Sequence, residues 1–146
     1  MELPEPSYYI NGEEPRLVGA LCTGFVLLHF YEGHQITDKV NVAHFRLGEH
    51  WYCLYFECST IFWRVSENPN PPTNHSLEYG LLFNDLSEID GLVGHTIREV
   101  NYEGSQSGDV GVTVKFSSGK QLTFKYSCEA DATQLDCQPS TDLDRG

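Results

Sequence analysis

Two stretches of this chain repeat each other, and the repeat constrains the fold more than any other feature. Residues 31–48 read YEGHQITDKVNVAHFRLG and residues 102–119 read YEGSQSGDVGVTVKFSSG, with seven identical positions at an offset of 71. The identities are Tyr31/Tyr102, Glu32/Glu103, Gly33/Gly104, Gln35/Gln106, Asp38/Asp109, Phe45/Phe116 and Gly48/Gly119. Upstream, Leu17-Val18-Gly19 matches Leu92-Val93-Gly94 once four extra residues are allowed in the first copy. Downstream the offset becomes 70 and pairs Cys58 with Cys128 and Pro69 with Pro139. A period near 70 is too long for a solenoid, and two copies are too few for an array. We expect a single domain over 1–146, with an internal repeat at 17–69 and 92–139 and a linker at 70–91. The two units are expected to pack about a pseudo-twofold axis.

Each unit reads as a run of short strands. In the second copy Val110, Val112, Val114 and Phe116 alternate with Gly111, Thr113 and Lys115. Turn residues Ser117-Ser118-Gly119 follow, and then Leu122, Phe124 and Tyr126 alternate with Gln121, Thr123 and Lys125. Period-two alternation on both sides of a glycine-containing turn is a hairpin signal, with one face buried and one wet. The preceding strand, around Thr96–Glu103, alternates less cleanly and leaves room for a bulge. A further strand is expected around Thr133–Cys137. The first copy follows the same plan at 24–32, 38–46, 50–58 and 60–66, but its third strand is apolar on both faces. Trp51, Cys53 and Tyr55 stand where the second copy has Gln121, Thr123 and Lys125. Either the 67–91 segment covers that face or a partner does. Within 67–91, prolines 69, 71 and 72 exclude a regular element, 77–83 reads as a strand, and Ser87–Asp90 suits one helical turn. The class is mainly β: two duplicated antiparallel meanders packed as a sandwich or open barrel, with little helix.

Charge narrows the function classes. Nine Lys+Arg against 21 Asp+Glu give a net charge of −12. That disfavours nucleic acid and anionic membranes as partners, since both need a basic surface. Acid is concentrated where base is absent. Residues 66–97 hold Glu67, Glu78, Asp85, Glu88 and Asp90, and residues 126–144 hold Glu129, Asp131, Asp136, Asp142 and Asp144, with no Lys or Arg in either stretch. Such a field steers a basic protein partner, and it also serves solubility.

The five cysteines, Cys22, Cys53, Cys58, Cys128 and Cys137, are odd in number and contain no CxxC pair. We read all five as reduced thiols and the protein as cytoplasmic. No basic-then-apolar leader opens the chain, and the longest apolar run, Phe25–Leu28, is far short of a membrane span.

Chemistry motifs are sparse. The six histidines are scattered without metal-ligand spacing, although His44 and His50 lie on neighbouring strands. No G-x-S-x-G elbow is present, and Cys58 or Cys128 lacks the electropositive setting of a reactive thiol. Gly104–Asp109 resembles a phosphate loop but has neither the lysine nor the following helix. We therefore expect no catalytic residues, no metal and no cofactor.

The stretch Gly91-Leu92-Val93-Gly94-His95-Thr96-Ile97-Arg98-Glu99-Val100, followed by residues 112–124, resembles a strand–hairpin pattern of small bacterial proteins of uncharacterised function. Some of those are similar to immunity proteins encoded beside polymorphic toxins. The resemblance implies a non-enzymatic inhibitor that plugs a toxin's active cleft. Many such toxins are nucleases with basic clefts, against which acidic side chains would stand in for phosphates. On that reading Asp85, Glu88 and Asp90 supply charge, and Trp51, Tyr55 and Trp63 are the aromatic anchors. The alternative is a small-molecule-binding or enzymatic β domain with a pocket between the repeats, where Tyr31/Tyr102 and Glu32/Glu103 are the matched pair to inspect.

Overall fold

The structure is a computed structural model and describes residues 8–32, 35–66, 79–86 and 91–138. Among the described residues ten strands form two sheets and there is no helix, so none there is long and apolar enough to cross a membrane. The first repeat supplies an antiparallel meander: β2 (Cys22–Glu32), β3 (Gln35–Leu47), β4 (His50–Glu57) and β5 (Thr60–Ser66). The second supplies another: β7 (Ile97–Gly104), β8 (Val110–Phe116), β9 (Gln121–Ser127) and β10 (Ala132–Gln138). Two strands extend the first sheet. β1 (Tyr9–Asn11) runs parallel to β5, and β6 (Tyr79–Asp85) runs antiparallel to β2, giving the order β1-β5-β4-β3-β2-β6. The smaller sheet has the order β10-β9-β8-β7.

The alternation read from the sequence sets the two faces. Val110, Val112, Val114, Phe116, Leu122, Phe124 and Tyr126 all point into the core. Across from them lie Phe25, Phe45, Leu54, Phe56, Ile61 and Trp63 of the larger sheet. Phe124 touches Phe25, Phe45 and Phe56, with ring centroids 6.1–6.5 Å apart and two of the three contacts edge-on. Full burial of one such ring contributes about 1.5–3 kcal/mol, so this aromatic layer dominates the adhesion of the sheets. The irregular first strand of the second repeat carries the expected register shift, between Ile97 and Glu99.

Three contacts join a residue to its counterpart in the other meander. Leu21 and Thr96 form an antiparallel bridge, the Phe56 and Tyr126 rings stack 6.2 Å apart, and Cys58 is bonded to Cys128. Backbone bonds around the first contact are reciprocal. Gly19 N–H donates to Ile97 O while Gly94 N–H donates to Cys22 O, and Cys22 N–H donates to His95 O while Ile97 N–H donates to Ala20 O. Leu17 and Leu92 are both buried, and Gly19 and Gly94 both have φ of 90°. Contacts of a residue with its own counterpart lie on a local twofold axis.

Pairing register moves the middle of the alignment. Cys22 pairs with Leu47, and its counterpart Ile97 pairs with Phe116, so Leu47 matches Phe116 at an offset of 69 rather than 71. The seven identities at offset 71 therefore do not occupy equivalent places. The first meander's opening hairpin is six residues longer than the second's, as the change from offset 75 to 69 shows. Its next turn is one residue shorter, restoring the offset of 70 at Leu54/Phe124 and beyond. An ungapped match spanning such changes in length cannot follow the fold.

Candidate functional site

The β4–β5 and β9–β10 turns meet where the axis leaves the sandwich. Their first residues, Cys58 and Cys128, form a disulfide with Cα atoms 4.9 Å apart, inside the span a bridge requires. This corrects the expectation of five reduced thiols. An odd count excludes only complete pairing, and the axis brings these two counterparts together. Cys22, Cys53 and Cys137 are free.

Side chains and backbone lock the same end of the molecule. The Tyr126 hydroxyl donates to Asp131 Oδ1 at 2.6 Å, and Cys128 N–H donates to Asp109 Oδ1 at 2.9 Å. Ser59 N–H donates to the Gly108 carbonyl at 2.8 Å, tying the β4–β5 turn to the β7–β8 turn. Two clefts flank this end and share Tyr126. One, of about 400 Å³, is lined by Glu57, Cys58, Thr60, Tyr126, Cys128 and Asp131. The other, of about 450 Å³, includes Glu103, Asp109, Lys125, Tyr126 and Gln134. Among the described residues four exposed carboxylates thus line the two clefts, Glu57, Glu103, Asp109 and Asp131, and Lys125 is the sole base lining either. A charge set of this composition attracts a cationic surface and favours rapid encounter with it.

The outer face of the larger sheet is a second surface. Trp51 is half-buried, with its ring edge lying over the space left by Gly24: a Cβ there would stand 3.0 Å from Trp51 Cη2. Tyr55, two pleats along the same strand, stacks on Phe62 with centroids 4.8 Å apart. A cross-strand row runs through Asp85, Val26, His44, Cys53 and Arg64. His44 is 8% exposed, with Nδ1 3.3 Å from Ser66 Oγ and Nε2 without a hydrogen-bond partner. Burial holds its pKa below the usual imidazole value. The Cys53 thiol is pushed up by burial, which the nearby Arg64 charge only partly opposes. Both shifts work against a thiolate–imidazolium pair, the form a cysteine nucleophile needs.

The structure separates the residues singled out from sequence. Trp51 and Tyr55 share the outer face as expected. Trp63 is corrected from surface anchor to core residue: it is 1% exposed, and its Nε1–H donates to Tyr102 Oη at 3.0 Å. The alternation of β5 places it inward, opposite Leu54. Asp85 ends β6 in register with Val26, far along the sheet from the disulfide, and its side chain lies outside what is described. Glu88 and Asp90 lie outside the described residues, as do 67–78, so most of the cover expected from 67–91 falls outside them too. Of the matched pair, Tyr102 donates to Glu14, and Glu103 faces the larger cleft. The Tyr31 and Glu32 side chains are not described.

Reading the sequence missed Glu57, Glu103 and Asp109 as one group. The signal was present in the Cys58/Cys128 match, which brings the flanking turns together, and in the acid-only stretch that includes Asp131. Among the described residues, no group of three or more His, Cys, Asp or Glu is placed to hold a metal ion. Comparison with protein-family models, with curated proteins and with solved structures gives no match.

Proposed function

We propose that this is a non-enzymatic binding protein of the immunity type, which neutralises a basic toxin, such as a nuclease, by direct binding in the cytoplasm. The observation that carries the reading is the group of Glu57, Glu103, Asp109 and Asp131 around the two clefts at the disulfide end, in a chain of net charge −12. Asp109 and Asp131 are engaged in internal hydrogen bonds, so Glu57 and Glu103 are the carboxylates free to meet a partner's cations. The aromatic face at Trp51 and Tyr55 supplies apolar contact area of the kind that anchors interfaces.

The disulfide weighs on the location. Such bonds persist in oxidising compartments, whereas the proposed cytoplasmic site of action is reducing. Thiol titration of the protein taken from its own cell decides this: three reactive thiols after denaturation place it in an oxidising compartment, and five place it in the cytoplasm.

The reading is tested by reversing charge. Glu57→Lys with Glu103→Lys is compared with Asp85→Lys, Glu88→Lys and Asp90→Lys for binding to the isolated partner and for inhibition of that partner's activity. Loss in the first set alone assigns the interface to the disulfide end, and loss in the second alone assigns it to the β6 end. No loss in either ends the acidic-plug account. The second reading, a small-molecule or enzymatic domain with a pocket between the repeats, draws on the cleft at Cys58 and Cys128, which both meanders line. The aromatic layer that fills the interface beneath it leaves that reading only the rim.

A further inference from the structure

The larger cleft holds two opposite charges that the fold keeps apart. Glu103 on β7 and Lys125 on β9 are the cross-strand neighbours of one residue, Gly111 on β8. Gly111 puts no side chain between them. A Cβ there would stand 3.1 Å from Glu103 Oε1 and 3.0 Å from the Phe124 carbonyl, so the Glu103 carboxylate leans over the glycine. Even so, Glu103 and Lys125 form no ion pair. On the adjacent strands β7 and β8, Glu99 and Lys115 are direct neighbours and do pair, at 3.5 Å. The backbones of strands two apart in a sheet are about 10 Å apart, and the cleft of about 450 Å³ that both side chains line has room for a short occupant. Gln134 continues the row beyond Lys125, and Ala132 supplies an apolar wall.

We propose that this cleft binds a small zwitterion of the α-amino acid class, with its ammonium group on Glu103 and its carboxylate on Lys125. Asp109, in the same cleft, adds negative field but is occupied at Oδ1 by Cys128 N–H. A purely cationic ligand would face Lys125, and a purely anionic one would face both carboxylates. Only a ligand carrying both signs uses all the charge present. Charge-assisted contacts at each end would hold it. The site shares Glu103 with the proposed protein-binding surface but does not rest on that reading, and its test uses no protein partner.

The test is a titration of the intact oxidised protein, followed by its backbone amide resonances, with three probes: L-alanine, L-alaninamide and N-acetyl-L-alanine. The first carries both charges, the second only the cation and the third only the anion. L-alanine is expected to give saturable shifts at Gly111, Lys125 and Ala132, and each single-charge probe to bind about tenfold more weakly or worse. Glu103→Gln and Lys125→Met are each expected to weaken L-alanine by at least about tenfold. Both side chains are exposed and unpaired, so these variants should fold, which unchanged resonances elsewhere verify. Absence of saturable shifts, an equal response to L-alaninamide, or unchanged binding by either variant overturns the proposal.

Discussion

Cys58 and Cys128 are 70 residues apart in sequence and bonded in space, and each opens the turn between the last two strands of its meander. The same axis passes the stacked rings of Phe56 and Tyr126 and, at the far end of the sandwich, the bridge between Leu21 and Thr96. Both sheets are thereby pinned at two ends by residues meeting their own counterparts, with the aromatic layer between. The disulfide end is also where the carboxylates gather, so the element that closes the fold also presents the candidate binding surface.

Closing a loop of 70 residues constrains the unfolded chain strongly. The chain-entropy model gives about 4 kcal/mol for such a loop, as an upper figure. Urea unfolding with and without a reductant is expected to show a lower midpoint on reduction, and Cys58→Ser with Cys128→Ser should match the reduced protein. Equal midpoints would show that the bridge contributes nothing.

Tyr102 joins three elements at the seam between the sheets. Its hydroxyl donates to Glu14 and accepts from the Trp63 indole, and its ring lies 6.0 Å from that of Tyr8. Burial and the Glu14 carboxylate hold its phenol well above the usual range, so it is neutral. Tyr102→Phe leaves the Trp63 N–H buried without its partner and is expected to cost about 1–3 kcal/mol in equilibrium unfolding.

His44 makes stability depend on pH. Burial lowers its folded pKa below the unfolded value near 6.5, so below that pH the unfolded chain binds the proton more readily than the native one. The His44 contribution is complete above about 6.5 and is lost as pH falls from there. Urea midpoints should decline as pH falls from about 6.5 to 5. His44→Gln should make the decline shallower, and an unchanged slope would contradict the assignment.

Gly108 touches the bridge directly. Its φ is 95°, and a Cβ there would stand 2.9 Å from Cys128 Sγ. Gly108→Ala combines a left-handed backbone with a clash against the disulfide. We expect a loss of about 1–3 kcal/mol in the oxidised protein, and part of it returned when the bridge is reduced.

The strands were legible because their signal is local. Alternation over 110–126 fixed the faces of β8 and β9, and the same reading located β4, β5 and β6 within two residues. Cross-chain geometry was not legible in that way. Nothing in the alternation of 60–66 says that Trp63 meets Tyr102, or that Tyr9–Asn11 adds a parallel strand beside β5. The repeat was visible at its ends, Leu17/Leu92 and Cys58/Cys128, where the counterparts do meet at the axis. It misaligned between them, because identity at Phe45/Phe116 outweighed a register that only strand pairing records. The disulfide was lost for a related reason: cysteine counting weighs numbers and spacing, whereas the axis decides proximity.

The most direct test of the central claim is the affinity for the isolated partner, measured against salt, for the native chain and for the variant Glu57→Lys with Glu103→Lys. The account predicts a basic partner bound one to one, weakening as salt rises, and an affinity at least about tenfold lower in the variant. A partner of acidic or neutral surface, or binding indifferent to both salt and charge reversal, would contradict it.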